Sequence, residues 1–300
     1  MTTKTSILAL LSITFLFSCS SGENNSTDSI QKRTDQEIAE ELNQEEQNEA
    51  QKMFYALPSP FEISSLMKAS GVEFEDGILN SIDNLSNYET KTSKALNLGI
   101  YGADVSITSI YDKTQHTMLY LSCIKKLADD LGISSAFNGE TMTRLEASKE
   151  SKDSLQNIVA EAYGMANNYL KSNSSSSTSS LILAGGWIEG LHIAASMVDP
   201  KKPNDGLIEL IADQRFSIEN LISLLELNKE EADIASIVSD LIELKAIYNE
   251  LDDIDGHEVS TTTNENGTMV LGGGSDVTLD AELLAKITAK VNEIRTKYVG

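Results

Sequence analysis

Residues 180–198 form the most apolar stretch of the chain after residue 19, with the sequence SLILAGGWIEGLHIAASMV. A helix of this composition is apolar on nearly every side, which is typical of a helix at the centre of a globular core. Two polar residues inside the stretch, Glu189 and His192, argue against a membrane span. The stretch therefore predicts a globular protein whose other elements pack around one central helix.

Apolar residues recur three and four positions apart through most of the remaining chain, and this spacing indicates amphipathic helices. Ser59, Pro60 and Glu62 form the start signal of one of them, and Gly71 is suited to its left-handed end. Asp112 marks a break within a longer helical stretch. We expect helices at about 34–55, 60–70, 90–131, 139–148, 152–171, 180–198, 204–225, 228–251 and 280–298, with Asn204 or Asp205 and Asn228 as caps.

Two segments interrupt the helical pattern. Residues 172–180 are rich in serine, and their composition predicts a mobile loop. Residues 257–272 contain two β-prone runs around a turn signal, which predict a small hairpin or an exposed loop. We expect a mainly α protein, an antiparallel multi-helix bundle or array that forms a single helical domain over residues 34–300.

The charge of the chain restricts its partners. Acidic residues outnumber basic ones by 46 to 23, which gives a formal net charge of −23. Nucleic-acid phosphates require clustered Lys and Arg, so nucleic acid is not expected as a partner. The same charge disfavours electrostatic docking on an anionic membrane. The sequence also lacks the signatures of phosphate loops, serine hydrolases, zinc proteases and calcium loops, and no cofactor is expected.

The N-terminus has the pattern of a secretory signal. Lys4 precedes an apolar run at residues 7–17, which is too short to span a bilayer as a helix. The run ends in Leu-Phe-Ser-Cys at residues 16–19, which resembles the lipobox of bacterial lipoproteins. The resemblance implies cleavage before Cys19, a thioether-linked diacylglycerol on its sulfur and acylation of the new amine. The alternative is an ordinary signal peptide with a coincidental cysteine.

The lipobox divides this region into a signal peptide at residues 1–18 and a lipidated flexible tether at residues 19–33. Several acyl chains anchor a protein stably where one is marginal, so the membrane is the expected partner of this region. Ser20 stands where an Asp marks inner-membrane retention, and by this resemblance the protein belongs in the outer membrane. With Cys19 lipidated, Cys123 has no intrachain disulfide partner, and we expect it to be a buried small hydrophobe.

Glu189 and His192 are three residues apart and so share one helical face. With Asp112 and His116, which are four apart on another helix, they are the candidates for a mononuclear metal site. The alternative is a core histidine with satisfied hydrogen bonds, or an exposed one. Glu189 is the most informative titratable group, because a buried carboxylate requires a partner or a raised pKa.

Three glycines surround Trp187, and two of them, Gly186 and Gly190, lie four apart on one face. Small residues in such positions favour close packing between helices. The alternative is that Gly186 exposes backbone to a ligand, with Trp187 as a binding surface instead of a core residue. Gly186 and Trp187, together with Glu189 and His192, are therefore also the candidate ligand-binding residues.

Three blocks, at residues 54–60, 95–104 and 183–190, look like those of uncharacterised helical lipoproteins from Bacteroidota. The resemblance covers most of the mature chain, and it implies an envelope location and no particular activity. We expect a membrane-anchored envelope lipoprotein that binds an unknown envelope protein or a small ligand, and catalysis is the less favoured interpretation. The alternative is a metal-binding protein or an enzyme with its site around Glu189 and His192.

Overall fold

The computed structural model describes residues 44–45, 47–75, 77–136, 144, 152–174, 176–251, 261–263, 269–271 and 279–300. The chain divides into two compact units, Met1–Glu45 and Glu46–Gly300, and the fold below is that of the second unit. The signal peptide and tether predicted for residues 1–33 lie outside the described residues, and so does Cys19. The helix predicted at about 139–148 also lies outside them, apart from residue 144, which is helical.

Nine α-helices occur among the described residues of the second unit, and the prediction of a mainly α protein is confirmed. None of these described helices combines the length and the apolar character that crossing a membrane requires. The helices are α1 (47–55), α2 (Pro60–Ala69), α3 (Lys91–Ile110), α4 (Thr114–Leu131), α5 (Lys152–Ser172), α6 (Ser177–Ser196), α7 (Asp205–Glu226), α8 (Ala232–Tyr248) and α9 (Ala281–Val299).

Short elements complete the described structure. Two 3-10 helices, Ile82–Asn87 and Ser134–Ala136, precede α3 and follow α4. Strands β1 (Thr261–Thr263) and β2 (Met269–Leu271) pair antiparallel, with Thr262 opposite Val270. This pairing agrees with the hairpin predicted for residues 257–272, of which the two strands alone are described.

Helices α3 and α6 form the centre of the fold. Every residue of α6 from Ser179 to Ala195 is buried except Leu183, which confirms the prediction of a central helix. The two backbones touch: a Cβ atom built on Gly99 would lie 1.9 Å from the carbonyl oxygen of Ile182. A Cβ atom on Gly185 would likewise lie 1.9 Å from the carbonyl oxygen of Leu96, so only glycine permits this approach.

The other helices pack around this central pair. Helices α2, α4 and α5 contact α3, and α7 and α9 contact α6. Helix α8 closes the far side by packing on both α7 and α9. Each outer helix buries one apolar face, as its three-and-four spacing predicts; on α8, for example, Ile234, Ile237, Val238, Leu241 and Leu244 are buried.

The helix boundaries follow the capping residues in several places. Ser59 accepts a hydrogen bond from the backbone N–H of Glu62, and the Glu62 carboxylate accepts one from the backbone N–H of Ser59, which confirms the capping box. Gly71 adopts the left-handed conformation expected of it, with φ +75°. Asn204 caps α7 by accepting a hydrogen bond from the N–H of Leu207. Asp112, with φ +60°, separates α3 from α4, so the predicted break is also confirmed.

Two boundary predictions are wrong. The serine-rich loop predicted for residues 172–180 is shorter, because α6 begins at Ser177 with Ser176 as its cap. Ser180 is buried, and its hydroxyl donates to the carbonyl oxygen of Ser177, so serine polarity is satisfied within the helix itself. Asn228 does not cap a helix; α8 begins at Ala232, after Glu231.

Candidate functional site

A cavity of about 800 Å³ opens between α1, α2, α3, α4, α5 and α6. Its walls are mainly aliphatic, and they come from helices that are distant in the sequence. This volume lies within the range of about 300–1,000 Å³ that is typical of small-molecule sites. The apolar wall residues are Leu98 and Val105 on α3, Leu121 and Ile124 on α4, Val159 and Ala162 on α5, and Ile182 on α6.

Small residues on several helices line the cavity. Gly99 and Gly102 of α3 and Gly186 of α6 all line the cavity, and none of them fills it with a side chain. Ala162 and Ala166 do the same on α5. A Cβ atom on Gly102 would come within 3.3 Å of the Tyr163 hydroxyl, so this wall is closely fitted although the centre is open.

Trp187, the single tryptophan of the chain, lines the cavity and is buried. Its indole N–H donates to the Ser217 hydroxyl at 2.8 Å, which satisfies the polar edge of the ring inside the core. Tyr163 supplies a hydroxyl to the cavity, and burial raises the pKa of that hydroxyl, against a smaller lowering by Ser106. The cavity therefore presents aromatic and aliphatic surface with few polar groups.

The mouth of the cavity is more polar than its walls. Lys52, Tyr55, Glu62 and Asn167 all line the cavity and are all exposed. The Glu62 carboxylate is already bound to Ser59, from which it accepts hydrogen bonds at 2.8 Å and 2.9 Å. Lys171 lies close by, with Nζ 4.3 Å from the centroid of the Tyr55 ring.

A second polar feature, the buried charge cluster, consists of Asp104 on α3, Glu189 on α6 and Arg295 on α9. Arg295 donates from Nε to one oxygen of Glu189 at 2.6 Å and from Nη2 to the other at 2.8 Å. Glu189 is fully buried, and the Arg295 side chain is 14% exposed. The partner that a buried Glu189 requires is thus a bidentate guanidinium.

Asp104 is fully buried, and its carboxyl group interacts with the Glu189 carboxylate and the backbone of Asn80 without a hydrogen bond of normal geometry to either. Burial raises the pKa of Asp104 well above its ordinary value, and the negative charge of Glu189 raises it further. The positive charge of Arg295 opposes both effects without reversing them. One guanidinium therefore neutralises one of two carboxyl groups, and the pKa of the other is raised.

Polar side chains around the buried charge cluster fasten the segment before α3 and the end of α9 to the core. The Asn97 amide donates to the carbonyl oxygen of Tyr298 at 3.0 Å, and the Asn80 amide donates to the Tyr88 hydroxyl at 2.9 Å. Burial is the main cause that raises the pKa values of Tyr88 and Tyr101. These groups are neutral hydrogen-bonding partners and form no open site.

The metal site predicted from Asp112, His116, Glu189 and His192 is not assembled. His192 places Nδ1 at 2.6 Å from Oδ1 of Asn292 and Nε2 at 3.0 Å from the carbonyl oxygen of Ile78, so both ring nitrogens face oxygen atoms of the core. Asp112 and His116 are exposed at the junction of α3 and α4, whereas Glu189 is fully buried against an arginine. Within the described ranges, no three His, Cys, Asp or Glu side chains are grouped so as to hold a metal ion.

The four predicted ligand-binding residues divide between two places. Gly186 and Trp187 lie on the cavity, whereas Glu189 and His192 lie in the polar core. Gly186 also packs closely, since a Cβ atom there would lie 3.0 Å from Cγ of Pro60. Its packing role and its place at the cavity are therefore compatible.

Cys123 is buried, as predicted. Burial, with a further contribution from the charge of Asp104, raises the pKa of its thiol to about 11. A thiol in this state is a poor nucleophile at neutral pH.

Sequence reasoning missed Asp104 and Arg295, and it missed the cavity. The helical spacing of Leu98, Gly102 and Val105 could have indicated a common face on α3, with Asp104 on another face. Nothing in the sequence indicates that Arg295 reaches Glu189 across 106 positions.

Comparison of the chain with protein-family models, with curated proteins and with solved structures found no match in any of the three. The cavity and its mouth are therefore interpreted from their own geometry.

Proposed function

We propose that this protein is a lipid-anchored envelope protein that binds a small apolar ligand in the cavity formed by helices α1 to α6. The observation that carries the proposal is the cavity itself, with its volume of about 800 Å³ and its aliphatic and aromatic walls. Concave apolar sites with a few polar groups at one end are the usual form of small-molecule sites. A void of this size is otherwise unfavourable in a core, because its lining atoms lose packing contacts.

The anchor in this proposal is Cys19, on the basis of the lipobox at residues 16–19. Thioether-linked and amide-linked acyl chains would hold the acidic body at a membrane in spite of its net charge of −23. The outer membrane is the location we propose, because Ser20 follows the cysteine. The membrane is then one partner of the protein and the apolar ligand is the other.

Binding is proposed instead of catalysis because the titratable side chains of the core interact with other core groups. Glu189 is held by Arg295, and both ring nitrogens of His192 lie at hydrogen-bond distance from core oxygens. Cys123 is a buried thiol whose pKa is raised to about 11. The cavity offers shape and apolar surface, which are the requirements of a binding site.

A fluorescence titration tests the proposal, because Trp187 is the single tryptophan and lines the cavity. An apolar naphthylamine dye should bind with one-to-one stoichiometry and change the Trp187 emission. Ala166→Phe places a ring into the cavity and should weaken dye binding at least tenfold. Ala235→Phe makes the same change at an exposed position of α8 and should leave binding unchanged.

Two results would contradict the proposal. The first is an unchanged Trp187 emission at saturating dye concentrations. The second is an equal loss of binding in the Ala166→Phe and Ala235→Phe variants, since the dye would then be bound elsewhere or the fold would be disturbed in both.

A further inference from the structure

One lysine lines the exposed end of the cavity, and a second lies beside it. Lys52 of α1 lines the cavity and is exposed, and Lys171 lies in the last turn of α5. Tyr55 connects them, because it also lines the cavity and its ring lies 4.3 Å from Nζ of Lys171. The ion pairs among the described residues include neither Lys52 nor Lys171. The two lysines therefore contribute positive charge at this end of the cavity.

The acidic residue at the mouth is already engaged. The Glu62 carboxylate accepts hydrogen bonds from the backbone N–H and the hydroxyl of Ser59, and it lies in the first turn of α2. A carboxylate in that position stabilises the positive end of the helix dipole. The chain as a whole has a net charge of −23. The exposed end of the cavity, with two lysines and one hydrogen-bonded carboxylate, is therefore more positive than the average surface.

Resting on the proposed function, we infer that the ligand is a long-chain carboxylate, with its acyl chain along the cavity walls and its carboxylate between Lys52 and Lys171. The walls at Leu98, Leu121 and Ile124 offer no hydrogen-bonding groups, so they suit an unsubstituted hydrocarbon chain. A cationic head group would be repelled by the two lysines. Lys52, Lys171 and Glu62 together carry a formal charge of +1, which matches a head group with a single negative charge.

The lining residues lead from the contact between α3 and α6 to the exposed Tyr55. Gly99, Gly102 and Gly186 line the cavity where α3 and α6 approach each other, and Tyr55 lines its exposed end. Tyr55 is 59% exposed, a large fraction for an aromatic side chain that contacts an apolar space. A hydrocarbon chain that leaves the cavity beside Tyr55 would cover part of this ring and bring the head group to the two lysines.

The test compares a fluorescent polyene fatty acid with its methyl ester, which has the same chain and no charge. Energy transfer from Trp187 to the polyene reports binding of either probe in the cavity. We expect the acid to bind about tenfold more tightly than the ester, because each exposed ion pair contributes up to about fivefold. Lys52→Gln and Lys171→Gln should each weaken binding of the acid by up to about fivefold and leave binding of the ester unchanged.

Lys229→Gln is the matched control, because it removes the same charge from an exposed position between α7 and α8. Equal affinity for acid and ester would overturn the inference while the proposed function stands, since the ester would still be bound. Failure of both probes to quench Trp187 would overturn the inference and the proposed function together. An effect of Lys229→Gln as large as that of Lys52→Gln would also overturn the inference, because the preference would then come from general surface charge.

Discussion

The cavity and the buried charge cluster lie on different faces of the same two helices, and they are built in opposite ways. On α3 the cavity uses Gly102 and Val105, whereas the cluster uses Asp104. The cavity is lined mainly by aliphatic, aromatic and small residues. The cluster places two carboxyl groups and one guanidinium in the core. A single helix pair thus separates the region that we propose for ligand binding from a region that fixes the fold.

The difference predicts different responses to substitution. Removing one member of the buried charge cluster leaves an uncompensated charge or an unmatched polar group, which is strongly destabilising. Adding volume to the cavity fills existing space and should have little effect on stability. The stability of the Ala166→Phe variant tests the cavity side of this contrast. Three predictions test the packed core, in order of decreasing effect.

Arg295→Met should have the largest effect. It leaves the Glu189 carboxylate buried without its partner, and we expect a loss of about 3–5 kcal/mol in the free energy of unfolding. Urea denaturation followed by circular dichroism measures this loss. Lys286→Met on the same helix is the control; Lys286 forms exposed ion pairs with Glu250 and Glu282, so its replacement should hardly move the unfolding midpoint.

The double variant Glu189→Met/Arg295→Met sharpens this prediction. It removes both charges together, so it should recover most of the stability that Arg295→Met loses. A double variant that is as unstable as the single one would show that the lost packing of Arg295, and not the unpaired carboxylate, causes the defect.

Gly185→Ala should have the next largest effect, at about 1–3 kcal/mol of destabilisation. The added Cβ atom would lie 1.9 Å from the carbonyl oxygen of Leu96, so α3 and α6 must separate. Gly164→Ala adds the same atom on α5, where nothing lies within 4 Å, and should stabilise the protein by up to about 1 kcal/mol. Thermal denaturation of both variants checks the opposite signs; the same sign in both would contradict the close helix approach.

Asp104→Asn should change the pH dependence of stability. Folding raises the pKa of Asp104, so the folded protein binds this proton more tightly than the unfolded chain does. The contribution of Asp104 to the free energy of unfolding is complete below about pH 4, the ordinary pKa of an aspartic acid. It is lost as the pH rises through the pKa of Asp104 in the folded protein. The slope of this loss approaches about 1.4 kcal/mol per pH unit, and Asp104→Asn should remove it.

Asp213→Asn provides the comparison for the pH experiment. Burial, aided by the charge of Glu209, raises the pKa of Asp213 to about 6, so its contribution is lost between about pH 4 and pH 6. Urea unfolding at several pH values should show a reduced slope in that window for Asp213→Asn. A pH profile of Asp104→Asn that matches the unchanged protein would contradict the raised pKa of Asp104.

The sequence predicted the helices well, because local spacing and caps determine them. The capping box at Ser59 and Glu62, the left-handed Gly71 and the break at Asp112 all depend on residues within one or two turns. The start of α6 was misplaced because serine is common in loops, whereas Ser180 here bonds back to its own helix.

The candidate site was predictable only in part, because it depends on contacts between distant segments. Trp187 and Gly186 were identified from the cluster of glycines around the single tryptophan, and they do line the cavity. Arg295 lies 106 positions from Glu189, and no local pattern joins them. The cavity is lined by residues of six helices, and the sequence does not indicate how these helices pack against one another.

A structure of the protein crystallised with a long-chain carboxylate tests the central claim most directly. The account predicts continuous ligand density along Leu98 and Ile182, with its charged end near Lys52. A cavity that is closed by repacked side chains, or ligand density confined to another surface, would contradict it.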